Sequence, residues 1–138
     1  MSEIVFKTDA DDVDWNRLKA MLMADQFDNG RTPEQLERSF RNSTHVCFAL
    51  DRGEIVGKGR LLSDGVCNAY LIDLWTRSSH RNRGIARRIV EILSSRVAGH
   101  HMYLQADDDL VGFYEKLGFF RHPNGMAKVI GHWLQSSG

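Results

Sequence analysis

The most informative part of the chain is residues 66–97, which read VCNAYLIDLWTRSSHRNRGIARRIVEILSSRV. The first half is a long apolar run that ends at Trp75, and such a run predicts a buried strand. The second half begins at Gly84 and is predicted to be a helix, because its apolar residues recur at the spacing of one packed helical face. Those apolar residues are Ile85, Ile89, Val90, Ile92, Leu93 and Val97.

The turn between them, residues 78–86, has the features of an anion-binding site. The first amides of a helix lack partners within the helix, the helix dipole is positive there, and a glycine lets a ligand approach the backbone. Arg81 and Arg83 stand inside this turn, whereas the later arginines are interpreted as a solvated helix face. Residues 75–99 contain six arginines and one acid. The turn therefore predicts a site for phosphate groups.

Length and charge limit the remaining function classes. A chain of 138 residues is expected to form one domain, residues 1–138. It carries 18 basic and 18 acidic residues, so its net charge does not predict binding to nucleic acid or to a membrane surface. No apolar run approaches the length of a membrane span, and the N-terminus lacks the pattern of a signal peptide. A cytoplasmic location is therefore expected.

Cysteines and histidines give no sign of a metal site. Cys47 and Cys67 both fall in predicted strands and are interpreted as two buried thiols. The six histidines show no metal-ligand spacing, and His100 and His101 are neighbours in a predicted strand, which would turn them to opposite faces. We therefore predict that the protein holds no metal.

The order of elements predicts an α/β (α+β) fold. A short strand is followed by two helices, the second opened by Thr32, Pro33 and Gln35 in the pattern of a capping box. Three strands, the basic helix, a strand over 100–106, a helix and two final strands follow, the last over 126–133. Two glycines inside one strand, Gly57 and Gly59, predict a bulge or a close backbone approach. The expected architecture is a mixed sheet with helices on both faces.

Three motifs resemble the GNAT superfamily of acyl-CoA-dependent N-acyltransferases. Residues 81–86, RNRGIA, are similar to the family's (Arg/Gln)-x-x-Gly-x-(Gly/Ala) pyrophosphate loop. Residues 73–76, DLWT, have the spacing of the strand that pairs with pantetheine, and residues 113–119, FYEKLGF, resemble the C-terminal signature. The element order agrees over nearly the whole chain. The resemblance implies a single GNAT-like domain with a mostly antiparallel sheet and acetyltransferase activity.

The chain departs from the family pattern at four positions. Ser78 stands where the family often has proline, and Thr76 stands where it often has valine. Ala86 replaces the more usual glycine and brings a methyl group close to the phosphate. Asp107 falls where many relatives have an asparagine that contacts the cofactor, and we interpret Asp107 instead as a helix cap.

The resemblance implies acetyl-CoA, or coenzyme A, as the co-substrate. The amides of residues 83–86 would hold its pyrophosphate, and Arg81 and Arg83 would add charge-assisted hydrogen bonds. Backbone groups of Leu74 and Thr76 would pair with the pantetheine arm like an added strand. The predicted cofactor-binding residues are Leu74, Trp75, Thr76, Arg81, Asn82, Arg83, Gly84, Ile85, Ala86 and Asp107; Trp75 is more typical of a core or pocket wall.

The reaction implied by the resemblance is direct attack of an amine on the thioester in a ternary complex. Tyr114 occupies the family's acid position, although a helix aromatic is otherwise typical of a core. Asp73 is the candidate general base, because a carboxylate in an apolar strand is costly unless it is used or paired. A structural hydrogen bond to a neighbouring loop explains Asp73 equally well. We predict both Tyr114 and Asp73 as catalytic residues.

Several acceptors and functions fit this pattern. The leading hypothesis is an N-acetyltransferase that acts on a primary amine of a small molecule. A protein or peptide acceptor, a non-catalytic acyl-CoA-binding module and a nucleotide-binding domain of another kind are the alternatives. Neither nucleic acid nor a membrane is an expected partner, and the final strand is a candidate contact for a homodimer.

Overall fold

The computed structural model describes residues 3–131 as a five-stranded sheet with helices. The elements are β1 (Ile4–Lys7), α1 (Trp15–Ala24), α2 (Pro33–Arg41), β2 (His45–Asp51), β3 (Glu54–Ser63), β4 (Asn68–Thr76), a 3₁₀ turn (Ser78–His80), α3 (Ile85–Ser95), β5 (His101–Tyr103), a second 3₁₀ turn (Asp108–Leu110) and α4 (Val111–Lys116). The strands lie in the order β1-β2-β3-β4-β5, antiparallel except for the parallel pair β4 and β5. The predicted mixed, mostly antiparallel sheet is confirmed.

Local capping signals set where the first two helices begin. The Asp14 carboxylate accepts a hydrogen bond from the Arg17 amide at the start of α1. At α2 the predicted capping box is present, since the Thr32 hydroxyl accepts from the Gln35 amide and the Gln35 side chain accepts from the Thr32 amide. Each bond satisfies an amide that the helix itself leaves unpaired.

Helices cover both faces of the sheet, as predicted. Alternation along β2 sends Val46 and Phe48 into a cluster with α1 and α2, where the Phe48 ring lies 5.2 Å from the Phe40 ring. The same alternation sends Cys47 and Ala49 to the opposite face, against α3. The sheet therefore separates two apolar clusters, one on each side.

Two glycines of β3 allow α3 to lie close against the sheet. A methyl group on Gly57 would stand 2.9 Å from Ile85 Cγ2, and one on Gly59 would stand 3.0 Å from Ile89 Cγ2. The predicted close approach is confirmed, and a register shift in the pairing of β3 with β4 lies beside it. This packing fixes the start of α3 against the middle of the sheet.

The C-terminal part differs from the prediction. The strand expected over 100–106 spans only His101–Tyr103, because the chain leaves β4 after Tyr103. Residues 126–131 form no strand; they are exposed and pair with no strand of the sheet. The rest of that predicted strand, 132–133, lies outside the described residues.

Two smaller expectations are also wrong. Cys67 is exposed in the turn before β4. The Asp64 carboxylate accepts hydrogen bonds from the amides of Val66, Cys67 and Asn68, and this turn delays the start of β4 to Asn68. Asp107 precedes the second 3₁₀ turn but makes no capping hydrogen bond with its side chain. Cys47 is buried as expected, and burial raises the pKa of its thiol to about 11.

Candidate functional site

The turn before α3 presents its main chain to solvent. Gly84 has φ +79°, a left-handed conformation, and a methyl group there would meet nothing within 4 Å. The Arg88 amide donates to the Gly84 carbonyl at 3.0 Å, so the amides that precede Arg88 in the first turn have no acceptor inside the helix. Residues 81–84 are exposed. The start of α3 therefore has backbone N–H groups without helical acceptors beside exposed residues, which is the arrangement expected of an anion-binding turn.

The two arginines of the turn have different surroundings. Arg81 is directed back toward the end of β4, where its Nε donates to the Thr76 carbonyl at 3.2 Å and its Nη2 lies 3.4 Å from Asp25 Oδ2. Arg83 is exposed next to the bare amides. Asn82 has φ +63° and turns the chain between them. Arg83 is thus free to meet an anion, whereas Arg81 fixes the turn to the strand.

A bulge in β4 shapes the edge where the pantetheine arm is expected. Lys58 lies opposite Trp75 but Arg60 lies opposite Ile72, so two residues of β4, Asp73 and Leu74, face the single residue between them in β3. Asp73 has φ +62°, in the left-handed region. Beyond the bulge, the Arg77 amide donates to the Val56 carbonyl at 2.8 Å.

This bond shows which way the backbone of β4 points. Because peptide groups alternate along a strand, those of Thr76 point away from β3, where the Thr76 carbonyl accepts a hydrogen bond from Arg81 Nε. Leu74 lies in the bulge, where this alternation is interrupted. On the side away from β3, β5 pairs with β4 only from Asn68 to Tyr70. Within residues 3–131, no strand pairs with β4 on that side beyond Tyr70.

The side chains of this segment serve the core. Trp75 is buried and its indole Nε1 donates to Asp25 Oδ2 at 2.9 Å, in agreement with a core or pocket-wall position. Ile85 is buried against Gly57, and Leu74 packs on the same face. The Thr76 hydroxyl is buried and has no hydrogen-bond partner within residues 3–131. The Trp75, Ile85 and Leu74 side chains are therefore occupied in the core, and the Thr76 carbonyl already accepts from Arg81 Nε.

Asp25, which the sequence analysis missed, connects α1 to the turn before α3. Asp25 is the C-cap residue of α1, and its backbone N–H donates to the Met21 carbonyl. Its carboxylate accepts hydrogen bonds from the Trp75 indole and the Ser78 amide, the latter at 3.1 Å, while Arg81 lies beside it. Burial alone would raise the pKa of Asp25, but the hydrogen bonds from Ser78 and Trp75 and the charge of Arg81 bring it below the usual value. Asp25 therefore stays ionised and positions the turn.

Asp73 lies in a buried group of cations. The Arg31 guanidinium donates to both carboxylate oxygens at 2.7 and 3.0 Å, Arg60 Nε donates to one of them, and Lys58 Nζ donates to the Asp73 carbonyl at 3.0 Å. Burial would raise the pKa of this carboxyl, but Lys58, Arg31 and Arg60 hold it well below its usual range. A carboxylate held in this way is a poor proton acceptor. The structure favours the structural role of Asp73 over the base role.

Lys58 has no exposed surface. Burial, together with the charges of Arg31 and Arg60, lowers its pKa to about 8, and Asp73 opposes that change. Its ammonium lies 5.2 Å from the centre of the Phe27 ring. The sequence contained a signal for this cluster. Lys58 and Arg60 alternate onto one face of β3, and Asp73 lies in the neighbouring strand β4.

Tyr114 has the packing role expected of a helix aromatic, and its acid role stays a prediction. Its ring is partly buried against the α3 side of the core and contacts Phe113 and Phe119, with centroids 5.1 and 5.7 Å apart. Burial raises the pKa of the phenol, and the negative charge of Asp107 raises it further. The hydroxyl is therefore protonated at neutral pH and able to donate. Tyr114 also lines a cavity of about 820 Å³ between β5 and the segment 119–127.

Metal and membrane features are absent from the part of the chain that the structure describes. Within residues 3–131 no three His, Cys, Asp or Glu side chains are grouped to hold a metal ion. In the same range no helix has both the length and the apolar character needed to cross a membrane.

Known proteins are similar to this chain in sequence and in fold. A model of the Acetyltransferase (GNAT) family matches residues 14–119. Serotonin N-acetyltransferase 2, chloroplastic, of Oryza sativa subsp. japonica is 32% identical over 70% of this chain and 54% of its own length. Histone acetyltransferase TAP1 of Glycine max is 27% identical over 87% of this chain and 52% of its own length. The chain thus spans about half the length of these two relatives.

Solved acetyltransferase structures have a similar fold. A GNAT family acetyltransferase of Streptococcus pneumoniae TIGR4 superposes with a TM-score of 0.76 at 25% identity, over 92% of this chain and 98% of that one. A predicted acetyltransferase of Clostridium acetobutylicum, crystallised with acetyl-CoA, has a TM-score of 0.70 at 18% identity, over 93% and 97% of the two chains. The open amide turn, the bulged strand and these matches lead to one conclusion: the chain belongs to the GNAT acetyltransferase family.

Proposed function

We propose that this chain is an acetyl-CoA-dependent N-acetyltransferase that transfers an acetyl group to a primary amine of a small molecule by direct attack in a ternary complex. The observation that carries the proposal is the continuity of the site. The start of α3 adjoins the end of β4, since Ile85 packs on Gly57 and Gly57 pairs with Thr76. An anionic group joined to an extended amide chain fits this arrangement.

The residues of the site fit coenzyme A. The amides around Gly84 would hold the pyrophosphate, with Arg83 adding charge, and no side chain obstructs the position that a methyl on Gly84 would take. The backbone groups of Leu74 and Thr76 would bind the arm. When bound, acetyl-CoA supplies an acetyl group activated as a thioester.

In this reaction the chain's own chemical contribution is to assist two proton transfers, one from the amine and one to the departing thiolate. At pH 7 an alkyl ammonium with a pKa of about 10.4 is free base in only about one molecule in a few thousand, so a proton must leave before attack. Because cations surround Asp73, we assign this step to water. The protonated phenol of Tyr114 would donate to the departing thiolate.

Replacing Tyr114 by phenylalanine is expected to lower kcat at least about tenfold, because the thiolate loses its donor while the ring still packs. The dissociation constant for acetyl-CoA should stay the same. Thiol release measures the first quantity and calorimetry the second. An unchanged kcat would remove Tyr114 from the acid role. Binding of acetyl-CoA without thiol release by the wild type would support the alternative of a non-catalytic acyl-CoA-binding module.

Replacing Asp25 by asparagine is expected to raise the KM for acetyl-CoA by about five- to twentyfold, since hydrogen bonds to a charged group contribute about 1.5–3 kcal/mol, part of which the amide retains. The kcat at saturating acetyl-CoA should change little, because Asp25 holds the turn rather than the reacting atoms. Asp9→Asn, in the loop after β1, is the matched control. An effect on kcat alone would rule out the positioning role.

The acceptor class is tested by thiol release with a panel of amines. The names of the two relatives point to serotonin and to histone, one a small molecule and the other a protein. We favour a small molecule, and expect faster release with aryl-alkyl amines or amino acids than with histone-derived peptides. A preference for the peptides would establish the protein-acceptor alternative.

A further inference from the structure

The cations around Asp73 outnumber the acids. We call Arg31, Lys58, Arg60 and Asp73 the Asp73 cluster; their side chains are 9%, 0%, 14% and 11% exposed. Within residues 3–131, Asp73 is the carboxylate that forms ion pairs with these three cations. The cluster thus carries more positive than negative charge in a place where water screens it poorly.

The other contacts of the cluster are uncharged. Arg31 Nε donates to the Asn29 side chain, Arg60 Nη1 donates to the Ser39 carbonyl and the Ser43 hydroxyl, and the Phe40 ring lies beside both Lys58 and Arg60. Such dipoles and rings reduce the excess charge without neutralising it. A buried excess of this kind favours an added anion.

Arg31 retains the capacity to bind that anion. Its hydrogen bonds use one N–H on each terminal nitrogen for Asp73, so within residues 3–131 the second N–H of each has no acceptor. Its side chain is nine-tenths buried, and Arg31 lies in the loop between α1 and α2. Lys58 is fully enclosed and adds charge without contact.

The cluster adjoins the place where an acceptor must approach. Asp73 sits in the bulge of β4 directly before Leu74, where the pantetheine arm is proposed to end, and Arg31 brings the α1–α2 loop to the same point. The acids of that loop are engaged elsewhere, Asp25 with Arg81 and Asp28 with Lys19. An acceptor that is only cationic is therefore repelled here.

We infer that the acceptor is a primary amine that also carries a carboxylate or phosphate, which binds Arg31 through its remaining N–H groups, beside Arg60. The inference rests on the proposed function. The anionic group offsets the excess charge of the cluster, while the same positive field favours the uncharged form of the amine that must attack. A polyamine satisfies neither condition.

Matched pairs of acceptors test the inference on the unmodified chain. Phenylalanine is compared with phenethylamine, lysine with cadaverine, and glucosamine 6-phosphate with glucosamine, by thiol release from acetyl-CoA at fixed ionic strength. In the pairs that react we expect kcat/KM at least about tenfold higher for the anionic member, the size of one charge-assisted hydrogen bond. Equal or faster reaction of the non-anionic members would overturn the inference.

Variants locate the effect. Arg31→Gln and Arg60→Gln should bring the anionic-to-neutral ratio of kcat/KM toward one without changing acetyl-CoA affinity, whereas Arg38→Gln, an exposed charge on α2, should leave the ratio as it is. A ratio that persists in both cluster variants would contradict the assignment. Absence of thiol release with every amine would instead remove the proposed function, and the inference with it. If both variants fail to fold, the wild-type comparison decides alone.

Discussion

Replacing Asp73 by asparagine is expected to lower the free energy of unfolding by about 3–5 kcal/mol, the usual cost of removing one partner of a buried ion pair. The amide would leave Arg31, Lys58 and Arg60 packed together with no carboxylate among them, at positions where they are almost wholly enclosed. Urea unfolding at pH 7 measures the change. Glu37→Gln is the control, because it removes an exposed pair with Arg41 and should cost no more than about 1 kcal/mol.

The difference between the wild type and Asp73→Asn should depend on pH in a defined direction. The folded chain holds the pKa of Asp73 well below the unfolded value of 3.8, so the ionised carboxylate stabilises the fold. That contribution is fully present above pH 3.8 and declines as the pH falls below it. A loss of less than about 1 kcal/mol at pH 7 would show that the cluster does not need its anion.

Replacing Ala86 by aspartate is expected to weaken acetyl-CoA binding at least about thirtyfold while leaving the melting temperature unchanged or higher. A carboxylate in the first turn of α3 is favourable for the helix by about 0.3–1 kcal/mol. The same charge competes for the bare amides and repels the diphosphate. The variant should thus be at least as stable as the wild type but defective in binding, a combination that unfolding cannot produce.

Ala86→Asn separates charge from size in this test. Asparagine is nearly isosteric with aspartate but neutral, so it should keep most of the affinity that calorimetry measures for acetyl-CoA. Equal weakening by the two substitutions would mean that bulk rather than charge matters. Unchanged binding by both would place the diphosphate away from the start of α3.

Features set by neighbours in the chain were predictable from the sequence. The capping box of Thr32 and Gln35, the apolar face of α3 and the left-handed turn at Gly84 each depend on a few consecutive residues. The close approach at Gly57 and Gly59 was also readable, because two glycines in one strand leave room that a neighbour must fill. These features are sufficient to predict the fold and the turn before α3.

Features set by distant pairs were not predictable in the same way. Asp25 meets Trp75 and Ser78 about fifty positions later, and no local pattern marks that contact. Asp73 was recognised as unusual, but its partner Arg31 lies forty-two positions away, so the sequence left base and structural roles equally open. Residues 126–131 are mostly apolar but form no strand, because an apolar segment alone does not supply a pairing edge.

A crystal structure of the chain with acetyl-CoA would test the central claim most directly. We expect the diphosphate on the amides around Gly84, the arm along the open side of β4 at Leu74 and Thr76, and the sulfur within reach of the Tyr114 hydroxyl. A structure in which the cofactor lies elsewhere, or in which the turn is closed by its own side chains at saturating acetyl-CoA, would contradict the account.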